Sequence, residues 1–120
     1  MTVQHPEGDA RVRALVPLPE LTLPALRQAV AALAPSRLPE LYEDMQRAFV
    51  QAGEDESVVP IHMFYRRWGV VVAIERQPDV AQRLRAAEQA LNDEDPEVRA
   101  RAIREAGEIT RAAHREVAGG

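Results

Sequence analysis

An all-α fold, a compact bundle of about five helices behind a flexible N-terminal arm, is predicted by three features of the sequence. Apolar residues recur at intervals of three and four through most of the chain, the period of a helix with one buried face. Most prolines stand at the edges of those runs, where helices begin or stop. Twenty of the 120 residues are alanine and five are aromatic, so helix is favoured and the core must close through small side chains. A chain of this length makes one domain, burying about two-thirds of its unfolded surface.

Residues 1–21 hold Pro6, Gly8, Pro17 and Pro19 and no sustained period. They read as a mobile or extended arm, with Leu15, Val16, Leu18 and Leu21 as anchors. The helical domain then spans 22–118. Thr22 caps a first helix that has Pro24 in its first turn, and Leu23, Leu26, Val30 and Leu33 repeat along it until Pro35. Ser36 reads as the next cap. Leu38, Leu41, Tyr42, Met45 and Phe49 form one stripe, ended by Gly53.

The acidic link Glu54–Ser57 leads to the segment IHMFYRRWGVVVAIERQ. As a helix it places Ile61, Phe64, Tyr65, Trp68, Val71 and Val72 on one face, with Met63, Val70 and Ile74 extending the apolar surface toward another. A helix this apolar is central or half-buried against a partner. The β-branched run Gly69–Ile74 also fits a strand. Helix is preferred because the aromatic stripe upstream is helical and no second strand exists to pair. Pro78 ends this element and Asp79 caps the next, with Val80, Leu84, Ala87 and Leu91 inward. Asp95 caps the last helix, Pro96 opens it, and Val98, Ala102, Ala106, Ile109, Ala113 and Val117 form a thin apolar line. Gly119 and Gly120 read as a frayed tail.

Composition excludes several chemistries. The absence of cysteine removes disulfides and thiolate sites, and the absence of lysine removes Walker and Schiff-base lysines. The two serines lack a nucleophile setting, and His5, His62 and His114 lack the spacing that puts two imidazoles on one metal. The acids Asp93–Glu97 fail the calcium-loop pattern, since Val98 and Arg104 occupy its glycine and glutamate positions. Glu40, Glu43 and Asp44 read as a solvated face. No cofactor, metal or catalytic residue is expected. A net charge of −4 and a pI near 5.4 argue against nucleic acid as partner. No stretch is long enough to span a bilayer, and the first residues lack a signal-peptide pattern, which predicts a cytoplasmic protein.

The cluster Phe64-Tyr65-Arg66-Arg67-Trp68 holds three of the five aromatics. It reads either as core or as a protein-binding hot spot, because Trp, Tyr and Arg are enriched in such spots. The candidate contact residues are Phe64, Tyr65, Arg67 and Trp68. The run Ala90–Arg99, with its Asp95-Pro96-Glu97-Val98-Arg99 junction, resembles the turn of paired helices in HEAT-type repeats, although a single copy makes no solenoid.

Leu26–Val30, Leu38-Pro39-Glu40-Leu41, Tyr42, Val59-Pro60-Ile61-His62 and Arg67-Trp68 together resemble a small actinobacterial family of unknown function, over residues 26 to about 74. The chain departs from that pattern at Trp68-Gly69, where related sequences carry two bulky residues. The resemblance implies a gene neighbouring RelE/ParE-type toxins and hence an antitoxin-like role. The expected function is a non-enzymatic protein-binding module that sequesters a basic protein. The alternatives are a DNA-binding regulator, using the last two helices with Arg99, Arg101, Arg104 and Arg111, or a structural homodimer.

Overall fold

Helix α1 (Leu23–Leu33) starts where the Thr22 hydroxyl accepts the backbone N–H of Ala25 at 3.3 Å, in a computed structural model that describes residues 14–119. Of the expected arm, residues 1–13 lie outside the described residues, as does Gly120. A single 3₁₀ turn, Pro35–Arg37, runs directly into α2 (Leu38–Asp55). Ser36 is therefore not a cap. The chain enters α2 already coiled, with the Arg37 and Leu38 N–H groups bonded to the Ala34 and Pro35 carbonyls.

Helix α2 passes Gly53 and stops two residues later. Glu56 takes the left-handed conformation (φ 51°, ψ 48°), the only non-glycine with positive φ among the described residues. The Glu56 and Ser57 N–H groups close the end on the Ala52 carbonyl. The Ser57 hydroxyl then accepts the Val59 N–H at 3.1 Å and starts α3 (Val59–Glu75). Gly69–Ile74 is helix, and no strand occurs among the described residues.

Pro78 is the first residue of α4 (Pro78–Ala90), with Gln77 in the capping position. Asp79 thus lies inside the first turn, where its charge meets the positive end of the helix dipole, and is not the cap. Leu91 falls just beyond α4 and is exposed instead of inward. Helix α5 (Pro96–Gly119) opens as the sequence predicts: the Asp95 carboxylate accepts the Glu97 N–H at 2.9 Å. It continues through Gly119, so the tail at that residue is helical.

Helix α3 divides the interior into two cores. Phe64, Trp68 and Val72, one turn apart, face α1 and α2, where Leu26, Val30 and Leu41 close around them. Val70, Ala73 and Ile74 face the other way, against Ala81 of α4 and Ile109, Ala113 and Val117 of α5. This two-sided burial is why a β-branched run is stable as helix: every side of the turn 69–74 has an apolar neighbour. Helix α5 runs antiparallel to α3, since Val117 reaches Gly69 while Ile109 shares a cleft with Ile74 and Gln77.

Residues 14–22 are an extended strap over the second core. The Leu15 N–H donates to the Arg76 carbonyl at 2.7 Å, and the Arg76 guanidinium donates to the Val16 carbonyl at 3.2 Å while pairing with Glu116. Leu18 packs on the second core and Leu21 reaches Gly69. Leu15 itself is exposed, so backbone bonds hold that point of the strap. A Cβ at Gly69 would stand 2.7 Å from Leu21 Cδ2 and 3.4 Å from Val117 Cγ1. Glycine here lets the strap and α5 approach α3 together.

Gly69→Leu should therefore cost about 1–3 kcal/mol by overpacking. Gly53→Ala, whose Cβ meets nothing within 4 Å, should gain up to about 1 kcal/mol from helix propensity. Urea unfolding midpoints check both. Across the α4–α5 hairpin, Arg83 Nε donates to Glu105 Oε2 at 2.8 Å, which holds the Glu105 carboxyl below its ordinary range. A lowered carboxyl pKa stabilises the fold above the unfolded value, and that contribution is lost as pH falls through the folded one. Glu105→Gln should thus lower the thermal midpoint slightly at neutral pH and leave it unchanged in acid.

Candidate functional site

The aromatic cluster on α3 is mostly interior. Trp68 is 0% exposed, Phe64 is buried, and Tyr65 is half-buried beside Phe64 with ring centroids 5.4 Å apart. Of the four residues the sequence nominates as partner contacts, Arg67 alone stands largely in solvent. Phe64 and Trp68 are corrected to core residues: they point into the gap between α1 and α2, and the chain's own leucines cover them.

Around Trp68 lies a charged network that the sequence reading missed. The indole Nε1–H donates to Asp44 Oδ2 at 3.0 Å. Arg47 donates to the other oxygen of the same carboxylate, and Arg67 Nη1 lies 3.3 Å from Oδ2. Arg37 holds Glu40 through two bonds of 3.0 and 3.2 Å and places its guanidinium 5.0 Å from the Trp68 ring centroid. Asp44, 6% exposed, is the one charged residue buried among the described residues. A carboxylate so placed is tolerated because two donors, Trp68 and Arg47, and the neighbouring Arg67 charge compensate it. The expectation that Asp44 belongs to a solvated face is overturned. Its position between Leu41 and Ala48, on the inward arc of α2, was the available signal.

That inward arc also splits the expected α2 stripe. Leu41 is buried and Leu38 and Met45 are half-buried, but Tyr42 and Phe49 turn out to solvent. Centring the buried arc on Leu41, Asp44 and Ala48 rotates those two aromatics away. Tyr42 and Phe49, 41% and 51% exposed, thus stand on the solvent side of α2 two helical turns apart, with Val50, 56% exposed, a quarter-turn round the helix from them. Glu43 and Glu54 share the side of Val50, two turns before it and one turn after, both exposed. Arg47, which pairs with Asp44, shares a surface hollow with Glu43 and Val50.

Elsewhere, polar groups are engaged structurally. The acids of the α4–α5 turn serve the backbone: Asp93 Oδ1 accepts the Asp95 N–H at 2.8 Å, and Arg99 donates to the Asp93 and Glu94 carbonyls at 2.7 and 3.1 Å. Arg99 is thus turned back on its own chain. His62 and His114 are exposed on separate helices. Among the described residues, no group of three acidic, histidine or cysteine side chains is placed to hold a metal ion, and no helix is long and apolar enough to cross a membrane. An open cleft of about 770 Å³ between α3, α4 and α5 carries both Arg83 and Arg115 and both Glu108 and Glu116, so no one charge dominates it.

Trp68→Ala should cost about 3–5 kcal/mol in chemical denaturation. Trp68→Phe, which keeps the ring but loses the bond to Asp44, should cost about 1–3 kcal/mol. Asp44→Leu in the Trp68→Phe background should recover part of that loss, because no buried carboxylate is then left short of a donor.

No family model matches this chain, and neither a curated protein nor a solved structure matches it.

Proposed function

We propose that the chain is a non-enzymatic protein-binding module whose contact surface is the outer side of α2 and whose partner presents a basic surface. One observation carries this reading: Tyr42 and Phe49, two turns apart, stand in solvent along one side of α2, and Glu43, Val50 and Glu54 are exposed along the adjoining side. Large aromatics left outside a core are the residues that anchor protein interfaces once desolvated. Acids at the rim speed the encounter with a basic partner and disfavour an acidic one. Asp55, the last residue of the helix, and Glu56, just beyond it, continue the same charge.

The resemblance to the actinobacterial family directs the reading further. It implies an antitoxin-like role in the cytoplasm, in which this chain sequesters a basic toxin of the RelE/ParE type encoded beside it. The contact residues move from Phe64 and Trp68, which are enclosed, and from Arg67, which pairs with Asp44 on the other side of α2, to Tyr42 and Phe49.

The test is co-expression with the product of the adjacent gene, followed by size-exclusion chromatography with light scattering. A stable complex is expected. Phe49→Asp and Tyr42→Asp should each weaken it about tenfold or more while the helical circular dichroism stays unchanged. The absence of a complex, or a complex indifferent to both substitutions, would overturn the assignment.

A further inference from the structure

Residues 14–21, the part of the strap ahead of the Thr22 cap, cover buried residues without being buried themselves. Leu15 is exposed, Leu18 is half-buried, and Leu21, which reaches Gly69, is 39% exposed. What lies beneath is interior. Val117 of α5 shares a hollow with Leu18, Pro19 and Leu21, and Ala29 of α1 shares another with Val16, Pro17 and Pro19. Both are buried with the strap in place. Few bonds hold it there. Among the described residues, the Leu15 N–H on the Arg76 carbonyl is its one backbone bond to the helices, and the Arg76 guanidinium on the Val16 carbonyl is its one side-chain bond. Pro17 and Pro19 have no N–H to satisfy and keep the backbone extended, so the segment moves as a stiff unit and closes again at small entropic cost.

Both bonds converge on Arg76, and Arg76 is not fully satisfied. Its side chain is 14% exposed and pairs with Glu116, yet its Nε is enclosed and meets no acceptor among the described residues. No other buried side-chain nitrogen or oxygen among them is left in this way. A buried donor without an acceptor is costly, and desolvating the cation adds to the cost. Lifting the strap lets water reach the guanidinium, which offsets part of what Leu18 and Leu21 lose. The side chain that latches the strap thus also opposes its closure, and segments with so few buried contacts open at far lower free energy than the whole fold.

We propose that residues 14–21 are a latched, releasable cover: they swing off the intact five-helix bundle, Arg76 and Glu116 set how often, and the open state uncovers the groove at Ala29, Gly69 and Val117. The pivot is the bend at Glu20–Thr22, where the Thr22 N–H donates to the Glu20 carbonyl at 2.9 Å. Thr22 keeps its cap on Ala25 in both positions, so α1 is undisturbed. Closed, the strap fills the groove from within the same chain and shuts out any other extended segment. Tyr42 and Phe49 take no part, and the cover and the α2 surface stand or fall separately.

Amide hydrogen exchange, read residue by residue by NMR on the full chain, tests the cover with the Leu15 N–H as its reporter. Leu15 should be protected at least about a hundredfold less than the amides of residues 68–72 in α3. Trp68→Phe weakens the first core, which is the same in the open and closed states. It should lower the protection of those α3 amides and leave that of Leu15 unchanged. Glu116→Gln should lower the protection of Leu15 about three- to tenfold. Leu15 protection that falls in step with α3 in Trp68→Phe would mean that the strap leaves only on global unfolding, and overturns the proposal. So does a Glu116→Gln chain whose Leu15 is as protected as in the wild type. Access to the groove is read with a synthetic peptide of residues 14–22. The chain carrying Leu18→Asp and Leu21→Asp together should keep its helix content and bind this peptide. The wild type should bind it at least about tenfold more weakly, because its own strap competes at high effective concentration. Equal binding to the two chains, binding to neither, or loss of helix content in the double variant would each overturn the cover.

Discussion

Everything in this domain is arranged around a helix that must be covered on two opposite sides. Helix α3 carries Phe64, Trp68 and Val72 on one side and Val70, Ala73 and Ile74 on another, and neither set can be left to water without losing several kcal/mol. The α1–α2 pair closes the first side and the α4–α5 hairpin closes the second. The strap of residues 14–22 seals the seam where Gly69 leaves room for Leu21 beside Val117. Small side chains make this possible. Ala73, Ala81 and Ala113 let helices approach closely, so a chain with five aromatics still excludes water from both cores.

Trp68 ties the packing to the charges. Its ring is enclosed, but its N–H must find an acceptor, and Asp44 on α2 supplies one at 3.0 Å. Burying that carboxylate then draws Arg47 and Arg67 to it, and Arg37 settles over the indole while holding Glu40. The result pins α2 to α3 at one rotational setting. That setting decides what the outer side of α2 displays. With Asp44 inward, Tyr42 and Phe49 face outward, and the apolar and acidic surface proposed to meet a basic partner follows from an interaction on the opposite side of the helix.

Much of the helical layout was legible in the sequence. Thr22 before Pro24 and Asp95 before Pro96 are local capping signals, and they work as read because a cap needs only its own first turn. Where local signals competed, the outcome was set elsewhere. Ser36 and Asp79 look like caps, yet the chain enters α2 through a 3₁₀ turn and Pro78 already opens α4, so neither side chain is used as one. Gly53 looks like a terminator, but Glu56 takes the left-handed turn. The candidate site was less legible still. Trp, Tyr and Arg side by side are the composition of a hot spot and of a core, and periodicity does not distinguish an enclosed Trp68 from an exposed one.

The sequence by itself determined that this is an all-α chain, which residues open its first and last helices, and that α3 is apolar on more than one face, because these depend on interactions within a few residues. Only the tertiary structure decided which aromatics are interior and which meet solvent. That choice depends on the rotation of one helix against another, set here by Trp68 and Asp44, twenty-four residues apart and joined by one hydrogen bond.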